Sequence, residues 1–142
     1  MAFRSEVTVR FFEVDRAGIA FFGRVFEYCH VAFEEMLASA ESDLTSVFEE
    51  EGWGMPLVHT EADFKSPMRM GERLSVTLNV ARIGTRSITF AYEVHGPSGD
   101  LKATARLVHS IIDLETFRAR TMPERLIRGL DRLRLLPEGY EI

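Results

Sequence analysis

The amino-acid sequence predicts an α+β fold: a five-stranded antiparallel sheet wrapped around a long central helix, with a short C-terminal helix. Three observations predict it. A strand-like segment comes first, a helix that is apolar on most of its circumference follows, and four more strand-like segments come next. Short turns join antiparallel neighbours, whereas parallel neighbours need long crossovers, so we expect the last four strands to form an antiparallel meander.

Length and composition are those of one globular domain. The chain has 142 residues, of which 46% are hydrophobic and 27% are charged. A domain of this size buries about 68% of the surface that its unfolded chain exposes. The composition excludes disordered and collagen-like classes, and no apolar run is long enough for a transmembrane helix. We therefore expect a single domain over residues 1–142.

Charge and cysteine content predict a cytoplasmic protein without a nucleic-acid or membrane partner. The start, MAFRSEVTVR, lacks the apolar region of a secretory signal, and the single Cys29 has no internal disulfide partner. The net charge is −5 without a long basic run, which argues against nucleic acid. Of the 17 cations, 15 are arginine, whose planar fork suits phosphate and carboxylate.

The first two elements are a strand at residues 6–14 and a helix at residues 24–38. Val7, Val9 and Phe11 alternate with Phe12 and Val14 in the strand. In the helix only glutamates mark a wet side, so we expect the helix to be nearly engulfed by the sheet. The next stretch, ESDLTSVFEEEGWG, predicts a short acidic helix that is a lid or a connector. Its N-cap is Ser42 or Asp43, and Gly52 ends it.

Four further strands are predicted at residues 56–66, 73–83, 86–95 and 101–114. The middle pair alternates cleanly, and its buried face consists of Leu74, Val76, Leu78, Val80, Ile88, Phe90, Tyr92 and Val94. The opposite face is small and weakly polar. Thr121 to Glu124 predicts a capping box, with Pro123 in the first turn of the C-terminal helix.

The segment FFEVDRAGIAFF places two acids, Glu13 and Asp15, before an almost wholly apolar loop. A carboxylate beside Ile19, Phe21 and Phe22 is poorly solvated, which raises its proton affinity and makes it a better base. The alternative for Asp15 is a loop cap or a partner of the helix dipole. Glu13 has three possible roles: to orient Arg16, to orient Arg24, or to tune Asp15 by repulsion.

The segment VRFFEVDRAGIAFFGRVFEYCHVAFEEML resembles the signature of the hot-dog acyl-CoA thioesterases of the 4-hydroxybenzoyl-CoA thioesterase type: an aspartate, an Ala-Gly-aliphatic turn, aromatics, then an aromatic-rich helix. ADFKSP at 62–67, IGTRS at 83–87 and the hydrophobic strand ending in Asp113 are also similar to that family. The resemblance spans most of the chain. It implies hydrolysis of acyl-CoA thioesters, aryl or fatty, without a cofactor.

The resemblance also implies roles for the residues around Asp15. Thioester hydrolysis needs an attacking oxygen, a donor for the oxyanion and a dry acyl slot. Asp15 is then the general base or the nucleophile, and the backbone amide of Phe22, at the start of a helix, is the oxyanion donor. The hydroxybenzoyl members have tyrosine at this position. Gly18 supplies a turn with positive φ, contacts substrate, or does both.

The acyl pocket and the nucleotide site are the other expectations. His30 stands where the hydroxybenzoyl members use an acid; its other interpretation is a buried structural histidine. The aromatics are equally consistent with plain core positions. Candidate pocket residues are Phe21, Phe26, His30, Phe33, Val58 and Phe64. Candidates for binding CoA phosphates are Arg86, Ser87, Arg82 and Lys65, although an arginine near a turn is often only a solvated charge. No histidine shows metal-ligand spacing, so we predict no metal.

Three alternatives remain open, together with an assembly. The substrate acyl chain is carried by an acyl carrier protein instead of CoA; the protein binds acyl ligands without catalysis; or it hydrates or dehydrates acyl thioesters, for which no motif stands around His59 or His109. A sheet with two free edges favours pairing with a second chain and a composite site. We expect an obligate homodimer, and a homotetramer made as a dimer of dimers.

Overall fold

The computed structural model describes residues 2–40 and 44–141. Ten elements follow one another along these residues: β1 (Phe3–Thr8), α1 (Arg24–Ala40), α2 (Leu44–Glu51), β2 (Trp53–Gly54), β3 (Leu57–Phe64), β4 (Arg73–Ile83), β5 (Ser87–His95), β6 (Leu101–Ser110), β7 (Ile112–Asp113) and α3 (Glu124–Arg132).

The predicted five-stranded antiparallel sheet is confirmed, in the order β1-β4-β5-β6-β3. The predicted meander is wrong for β3, which pairs with β6 instead of β4. Residues 65–72 cross the end of the sheet between these strands. An extended chain spans about 3.5 Å per residue, so this connection easily crosses three interstrand spacings of about 4.8 Å each. Local hairpin signals do not exclude such a crossing.

The core lies between α1 and the concave face of the sheet. The eight alternating residues predicted to point inward from β4 and β5 are all buried. Opposite them α1 buries most of its circumference: Val25, Tyr28, Cys29, Ala32, Phe33, Met36, Leu37 and Ala40. Each large apolar side chain buried in this way stabilises the fold by about 1.5–3 kcal/mol. The prediction of a helix almost engulfed by the sheet is therefore confirmed.

The first strand ends earlier than predicted, at Thr8, and Phe11–Glu13 forms a 3₁₀ turn. The Glu13 side chain accepts a hydrogen bond from the Arg10 N–H at 2.7 Å, and the Glu13 N–H donates to the Arg10 carbonyl at 3.0 Å. These two bonds close the turn as a capping box does. Phe11 and Phe12 consequently leave the sheet and are exposed.

The boundaries of α2 and α3 agree only in part with those predicted from the sequence. Gly52 ends α2 with a φ of +68°, as predicted, while the N-cap candidates Ser42 and Asp43 lie outside the described residues. The capping box at Thr121 is wrong, because Pro123 is the N-cap of α3 and no side chain caps it. Met122 donates its N–H to the Thr85 carbonyl at 2.9 Å, which holds this segment against the β4–β5 turn.

The predicted strand 101–114 is interrupted after Ser110. Ile112 and Asp113 form the two-residue strand β7, which pairs with β2 in a second, small sheet. Val14 and Ile19 belong to isolated bridges near the opposite end of the main sheet. The main sheet therefore has an Asp15 end, formed by residues 15–22 and 65–72, and an Arg86 end, formed by residues 84–86 and 111–122.

Candidate active site

Asp15 opens a tight turn. Its Oδ1 accepts a hydrogen bond from the Ala17 N–H at 2.8 Å, its N–H donates to the Ile19 carbonyl at 2.9 Å, and its carbonyl accepts from the Gly18 N–H at 3.0 Å. Gly18 has a φ of +78°, a conformation that strains any residue with a Cβ. The turn thus fixes the backbone of Asp15 and leaves the second carboxylate oxygen without a partner among the described residues.

The Asp15 turn and the crossing connection are one unit. Ala20 donates its N–H to the Met68 carbonyl at 2.7 Å, and Met70 donates to the Gly18 carbonyl at 3.1 Å. Ile19 also bridges to Arg69. Lys65 and Ser66 both donate their N–H groups to the Lys102 carbonyl, which bends the chain sharply after β3. The residues that face Asp15 are therefore held by backbone bonds on both sides.

A cleft of about 470 Å³ lies between these segments and is lined by Asp15, Ile19, Ala20, Phe21, Phe22, Phe64, Lys65, Ser66, Pro67 and Met68. Four residues of this cleft were passed over by sequence reasoning or used only as part of a motif: Ser66, Pro67 and Met68 from the ADFKSPM stretch, and Ala20 from the facing loop. Asp15 itself is exposed. The apolar enclosure expected around its carboxylate is therefore not provided by one chain alone.

Two backbone donors lie free at the start of α1. In the parts of the chain that the structure describes, neither the Phe22 nor the Gly23 N–H donates a hydrogen bond, whereas Arg24 donates to the Phe21 carbonyl at 2.8 Å. Unpaired amides at a helix N-terminus carry partial positive charge and attract anions. Phe22 and Asp15 line the same cleft, so a donor for negative charge and a carboxylate face one substrate-sized space.

Glu13 is tied to α1 and to the Arg10 backbone rather than to a guanidinium group of Arg16 or Arg24. Its Oε1 accepts from the Tyr28 hydroxyl at 3.1 Å, and its carbonyl accepts from the Phe21 N–H at 2.9 Å. Burial and the Glu13 charge raise the pKa of Tyr28. Arg24 instead binds Glu27 at 2.9 Å, so the expectation that Glu13 orients Arg24 is wrong.

Side chains of α1 and β3 form an aromatic trough that continues from the cleft. Phe22, just before α1, and Phe26 and His30 within it are spaced by four residues and so share one side of the helical segment. The His30 ring lies 5.4 Å from that of Phe33, which stacks on His109, the cross-strand partner of Leu57 in β3. On β3, Phe64, Ala62 and Thr60 are cross-strand partners of buried β6 residues and so point to the same side as α1. Val58, at the start of β3, is 62% exposed. The trough is open where β3 has no neighbour.

Two predicted pocket residues have other surroundings. Phe33 is buried; its ring stacks on His109 at 4.4 Å and meets Phe90 edge-on at 5.5 Å, so it is a core residue. The interpretation of His30 as a buried structural histidine is wrong: its side chain is 45% exposed and lies 3.8 Å from Glu34. The buried histidine is His109, whose Nδ1 bonds the Met55 carbonyl at 2.8 Å. Burial lowers the pKa of His109, because the charged form is poorly solvated.

The structure does not bring Arg82, Arg86 and Ser87 to Asp15. Arg82 lies next to the last residue of β4, Arg86 in the turn after it and Ser87 at the start of β5. The Asp15 turn lies beside the first residues of β4 instead. The 11 residues of β4 span on the order of 30 Å, at about 3.3 Å per residue. Lys65, the fourth predicted phosphate-binding residue, lies in the Asp15 cleft instead. One chain thus separates the reacting end of the predicted site from its nucleotide end.

The pattern that defines the thioesterase-like superfamily matches residues 9–130, most of the chain and all of the cleft. The chain belongs to the thioesterase-like superfamily. The predicted hot-dog fold is confirmed. Among residues 2–40 and 44–141, no group of three or more His, Cys, Asp or Glu side chains is placed to hold a metal ion. No helix in the same ranges is long and apolar enough to span a membrane.

Named relatives of this thioesterase-superfamily chain agree on one reaction. The 1,4-dihydroxy-2-naphthoyl-CoA hydrolase of Nostoc punctiforme is 32% identical over 141 residues, covering 99% of this chain and 95% of that protein. A hydrolase of the same name from Thermosynechococcus vestitus is 30% identical, over 84% of this chain and 82% of its own. The crystal structure of the 1,4-dihydroxy-2-naphthoyl-CoA thioesterase from Synechocystis superposes with a TM-score of 0.85 at 27% identity, covering 94% of this chain and 98% of that one.

These relatives confirm that this superfamily member is an enzyme of the thioester hydrolase class. Their names specify a naphthoyl-CoA thioester as the substrate, so the relatives do not support the narrower prediction of the 4-hydroxybenzoyl-CoA type. All of them are named as acting on a hydroxylated aromatic ring joined to coenzyme A.

Proposed function

We propose that this thioesterase hydrolyses CoA thioesters of hydroxylated aromatic acids, with Asp15 as the catalytic carboxylate. The observation that carries the proposal is the cleft in which Asp15, the free amide of Phe22 and the aromatic side chains of Phe21 and Phe64 meet. A thioester carbonyl bound there has an oxyanion donor on one side and a carboxylate on the other. The names of the relatives supply the class of the acyl group.

Two routes are open to Asp15, and both keep atoms and charges in balance. As general base, Asp15 takes a proton from water while the water oxygen bonds to the carbonyl carbon; the C–S bond then breaks and CoA leaves as its thiol with that proton. As nucleophile, the Asp15 carboxylate bonds to the carbonyl carbon and the C–S bond breaks, which gives a mixed anhydride and CoA thiolate. Water then hydrolyses the anhydride and restores the Asp15 carboxylate, and a proton released from that water converts the thiolate to the thiol. In both routes the amides of Phe22 and Gly23 stabilise the oxyanion. Reaction in ¹⁸O-labelled water under single-turnover conditions identifies the nucleophilic route when label enters the Asp15 carboxylate, which requires water to attack the aspartyl carbonyl of the anhydride.

The lining of the trough along α1 favours an aryl group as the acyl part of the substrate, but it does not select one aryl group over another. Phe22, Phe26 and Phe64 offer ring faces, and His30 and Thr60 offer polar atoms within an otherwise apolar lining. A naphthoyl group, a hydroxybenzoyl group and a fatty acyl chain differ in width and in hydroxyl groups. The relatives favour the naphthoyl group, so 1,4-dihydroxy-2-naphthoyl-CoA is the first substrate to test, with 4-hydroxybenzoyl-CoA second.

A dimer through β3 joins the two separated parts of the site. Every residue of β3 except Ala62 is exposed, and no strand within residues 2–40 and 44–141 pairs with its outer edge. An exposed edge of this kind pairs readily with another strand. A two-fold axis beside β3 places the Phe64 end of one strand against the Leu57 end of the other, because strands related by such an axis run antiparallel.

In that dimer each Asp15 cleft faces the Arg86 end of the other chain. Leu57 is the cross-strand partner of His109, which also pairs with Ile88 of β5, so the start of β3 and Arg86 share one end of the sheet. The partner subunit's Arg86 and Ser87 then reach the phosphates of a CoA whose thioester lies beside Asp15. We propose this homodimer as the minimum active unit in the cytoplasm, and a tetramer formed by two such dimers.

The test is a panel of thioesters followed by release of free thiol. We expect hydrolysis of hydroxyaryl-CoA substrates, and far slower hydrolysis of palmitoyl-CoA. The Asp15→Asn chain is the negative control, and a carrier-protein thioester of the same acid separates CoA from carrier recognition. Failure of the folded protein to hydrolyse any member of the panel would refute the proposed function.

A further inference from the structure

A short hairpin at residues 113–118 projects from the Arg86 end. The Asp113 N–H donates to the Arg118 carbonyl at 2.9 Å, and the Phe117 N–H donates to the Asp113 carbonyl at 2.8 Å. The Asp113 Oδ1 accepts the N–H groups of Glu115 and Thr116 at 2.9 and 3.0 Å. The hairpin is therefore a folded unit with a defined tip.

Backbone bonds hold this hairpin beside the Arg86 turn and beside the start of β3. Ile111 donates its N–H to the Arg86 carbonyl at 2.8 Å, and Arg120 donates to the Ile111 carbonyl at 2.9 Å. Leu114 donates to the Gly52 carbonyl at 2.9 Å, close to the residues that lead into β3. The hairpin thus lies between the predicted phosphate-binding turn and the edge at which the proposed dimer forms.

Phe117 at the hairpin tip has no structural explanation. Its side chain is 73% exposed, and its φ is +57°. A left-handed conformation costs a residue other than glycine about 1–2 kcal/mol, and a large exposed ring gains no burial in return. In the described parts of the chain its ring contacts no other aromatic ring. Glycine or asparagine would form this turn at lower cost, so the exposed ring is a candidate for contact with a ligand.

The same end of the sheet carries guanidinium groups without carboxylate partners. Across residues 2–40 and 44–141, no ion pair involves Arg82, Arg86 or Arg118, and all three are exposed. Arg120 donates to the Glu51 carbonyl at 3.3 Å and is engaged. The nearby Asp113 carboxylate is turned to backbone amides. These guanidinium groups are free to bind an anion with several charges.

We propose that the hairpin binds the adenosine 3′,5′-bisphosphate end of coenzyme A, with the Phe117 ring stacked on adenine and Arg118 acting with Arg86 on the phosphates. This inference rests on the proposed function and names the part of its substrate that is recognised. An exposed ring beside unpaired guanidinium groups matches a nucleotide, which offers a π-face next to phosphates. The pantetheine arm of that CoA then leads across the β3 edge to the partner's Asp15.

The first experiment removes the ring without disturbing the turn. Phe117→Gly suits the positive φ, so the variant is expected to fold with an unchanged or higher melting temperature. Without the Phe117 ring, adenine loses its stacking partner. The KM for an aryl-CoA is therefore expected to rise by about tenfold while kcat stays near its starting value. Phe117→Trp keeps a stacking face and is expected to retain the wild-type KM. An N-acetylcysteamine thioester of the same acid lacks the nucleotide, so all three proteins should hydrolyse it equally.

The second experiment removes a charge and measures binding apart from catalysis. Arg118→Ala is compared with Arg128→Ala, an exposed arginine on α3. Calorimetry with adenosine 3′,5′-bisphosphate alone is expected to show affinity about tenfold weaker for Arg118→Ala and unchanged for Arg128→Ala. Because no thioester is present, this measurement stands even if the panel shows no hydrolysis.

The outcomes separate the two proposals. Equal KM values for wild type and Phe117→Gly with an aryl-CoA, or equal nucleotide affinity for wild type and Arg118→Ala, would overturn the hairpin assignment and leave the thioesterase intact. Changed dissociation of the oligomer in Phe117→Gly with unchanged nucleotide affinity would also overturn it, because the ring would then bind protein. Nucleotide binding that depends on Phe117 and Arg118 supports it.

Discussion

Glu13 and Asp15 are two residues apart in sequence and have different surroundings. Glu13 accepts hydrogen bonds from Tyr28 and from the Arg10 N–H, so its carboxylate is used within the fold. Asp15 gives one oxygen to the Ala17 N–H and presents the rest of its carboxylate to the cleft. The Glu13 carboxylate, which is held inward, therefore positions the loop. The Asp15 carboxylate faces outward and is free to react.

Removal of the Asp15 charge is expected to stop catalysis and leave the fold unchanged. Asp15→Asn keeps the size of the side chain and supplies neither a base nor an anionic nucleophile, so kcat for an aryl-CoA should fall by about 100-fold or more. Steady-state kinetics and a thermal melt check both statements. Asp131→Asn, an exposed position on α3, is the control. A folded Asp15→Asn protein with the kcat of wild type would exclude Asp15 from the reaction.

We expect His109 to contribute to the loss of folding stability at acidic pH. Its pKa in the folded state is lowered by burial, so the folded state binds fewer protons than the unfolded state below pH 6.5. The free energy of unfolding therefore decreases as the pH falls below the unfolded pKa of about 6.5. Urea unfolding at pH 7.5 and 5.5 should show a smaller loss of stability for His109→Asn than for wild type. An equal loss in both proteins would assign the acid sensitivity to other groups. His59→Asn, an exposed histidine, is the control.

The crossing connection after β3 is the element on which the cleft depends. Its carbonyls and amides bind the Asp15 turn directly, and its side chains form the opposite wall. The turn after β4 does the same for the other end of the sheet, where it holds residues 111–122. Each half of the candidate site thus lies on connections between strands, which the rigid sheet keeps in place.

Loss of the Arg86 side chain is expected to weaken substrate binding without slowing chemistry. A remote phosphate contact is equal in the ground state and the transition state, so Arg86→Ala should raise KM for an aryl-CoA and leave kcat close to its starting value. Arg128→Ala serves as the charge-matched control. An unchanged KM would mean that the nucleotide binds elsewhere or that the true substrate is carrier-bound.

At the scale of the whole molecule, one chain leaves its candidate site incomplete. Asp15 is exposed, the aromatic trough is open along β3, and Arg86 lies at the far end of the sheet. In the proposed dimer, we expect a two-fold partner across β3 to cover the trough and to supply a second Arg86 end. Light scattering that showed a fully active monomer near the 16.2 kDa chain mass would rule out this composite site.

Mixed dimers provide the sharper prediction. In a dimer of one Asp15→Asn chain and one Arg86→Ala chain, a site shared across the axis leaves one of the two sites intact, so the KM of wild type returns. If Asp15 and Arg86 served the same chain, no site would be intact and the KM of Arg86→Ala would remain. Co-expression with two different tags and sequential affinity purification gives the mixed species, and a tagged wild-type pair is the control.

The sequence by itself determined the main helices and strands, apart from some of their boundaries, and the positive φ in the Asp15 turn. Every second residue of β4 up to Val80 and of β5 is buried, and the buried residues of α1 recur at helical spacing. Both patterns lie within a few consecutive residues, so both can be recognised from the sequence. Gly18 in the Asp15 turn likewise has the positive φ that its residue type suggested. The aspartate with its Ala-Gly-Ile turn also carried the resemblance to thioesterases.

Only the tertiary structure decided how these elements meet. It moved β3 to the far edge beside β6, joined Glu13 to Tyr28 rather than to Arg24, exposed His30, and set Arg86 at the opposite end from Asp15. Each of these outcomes depends on hydrogen bonds and packing between residues far apart in the chain. Periodicity and turn signals describe the conformation of neighbouring residues, and they carry no information about which distant segments become partners in space.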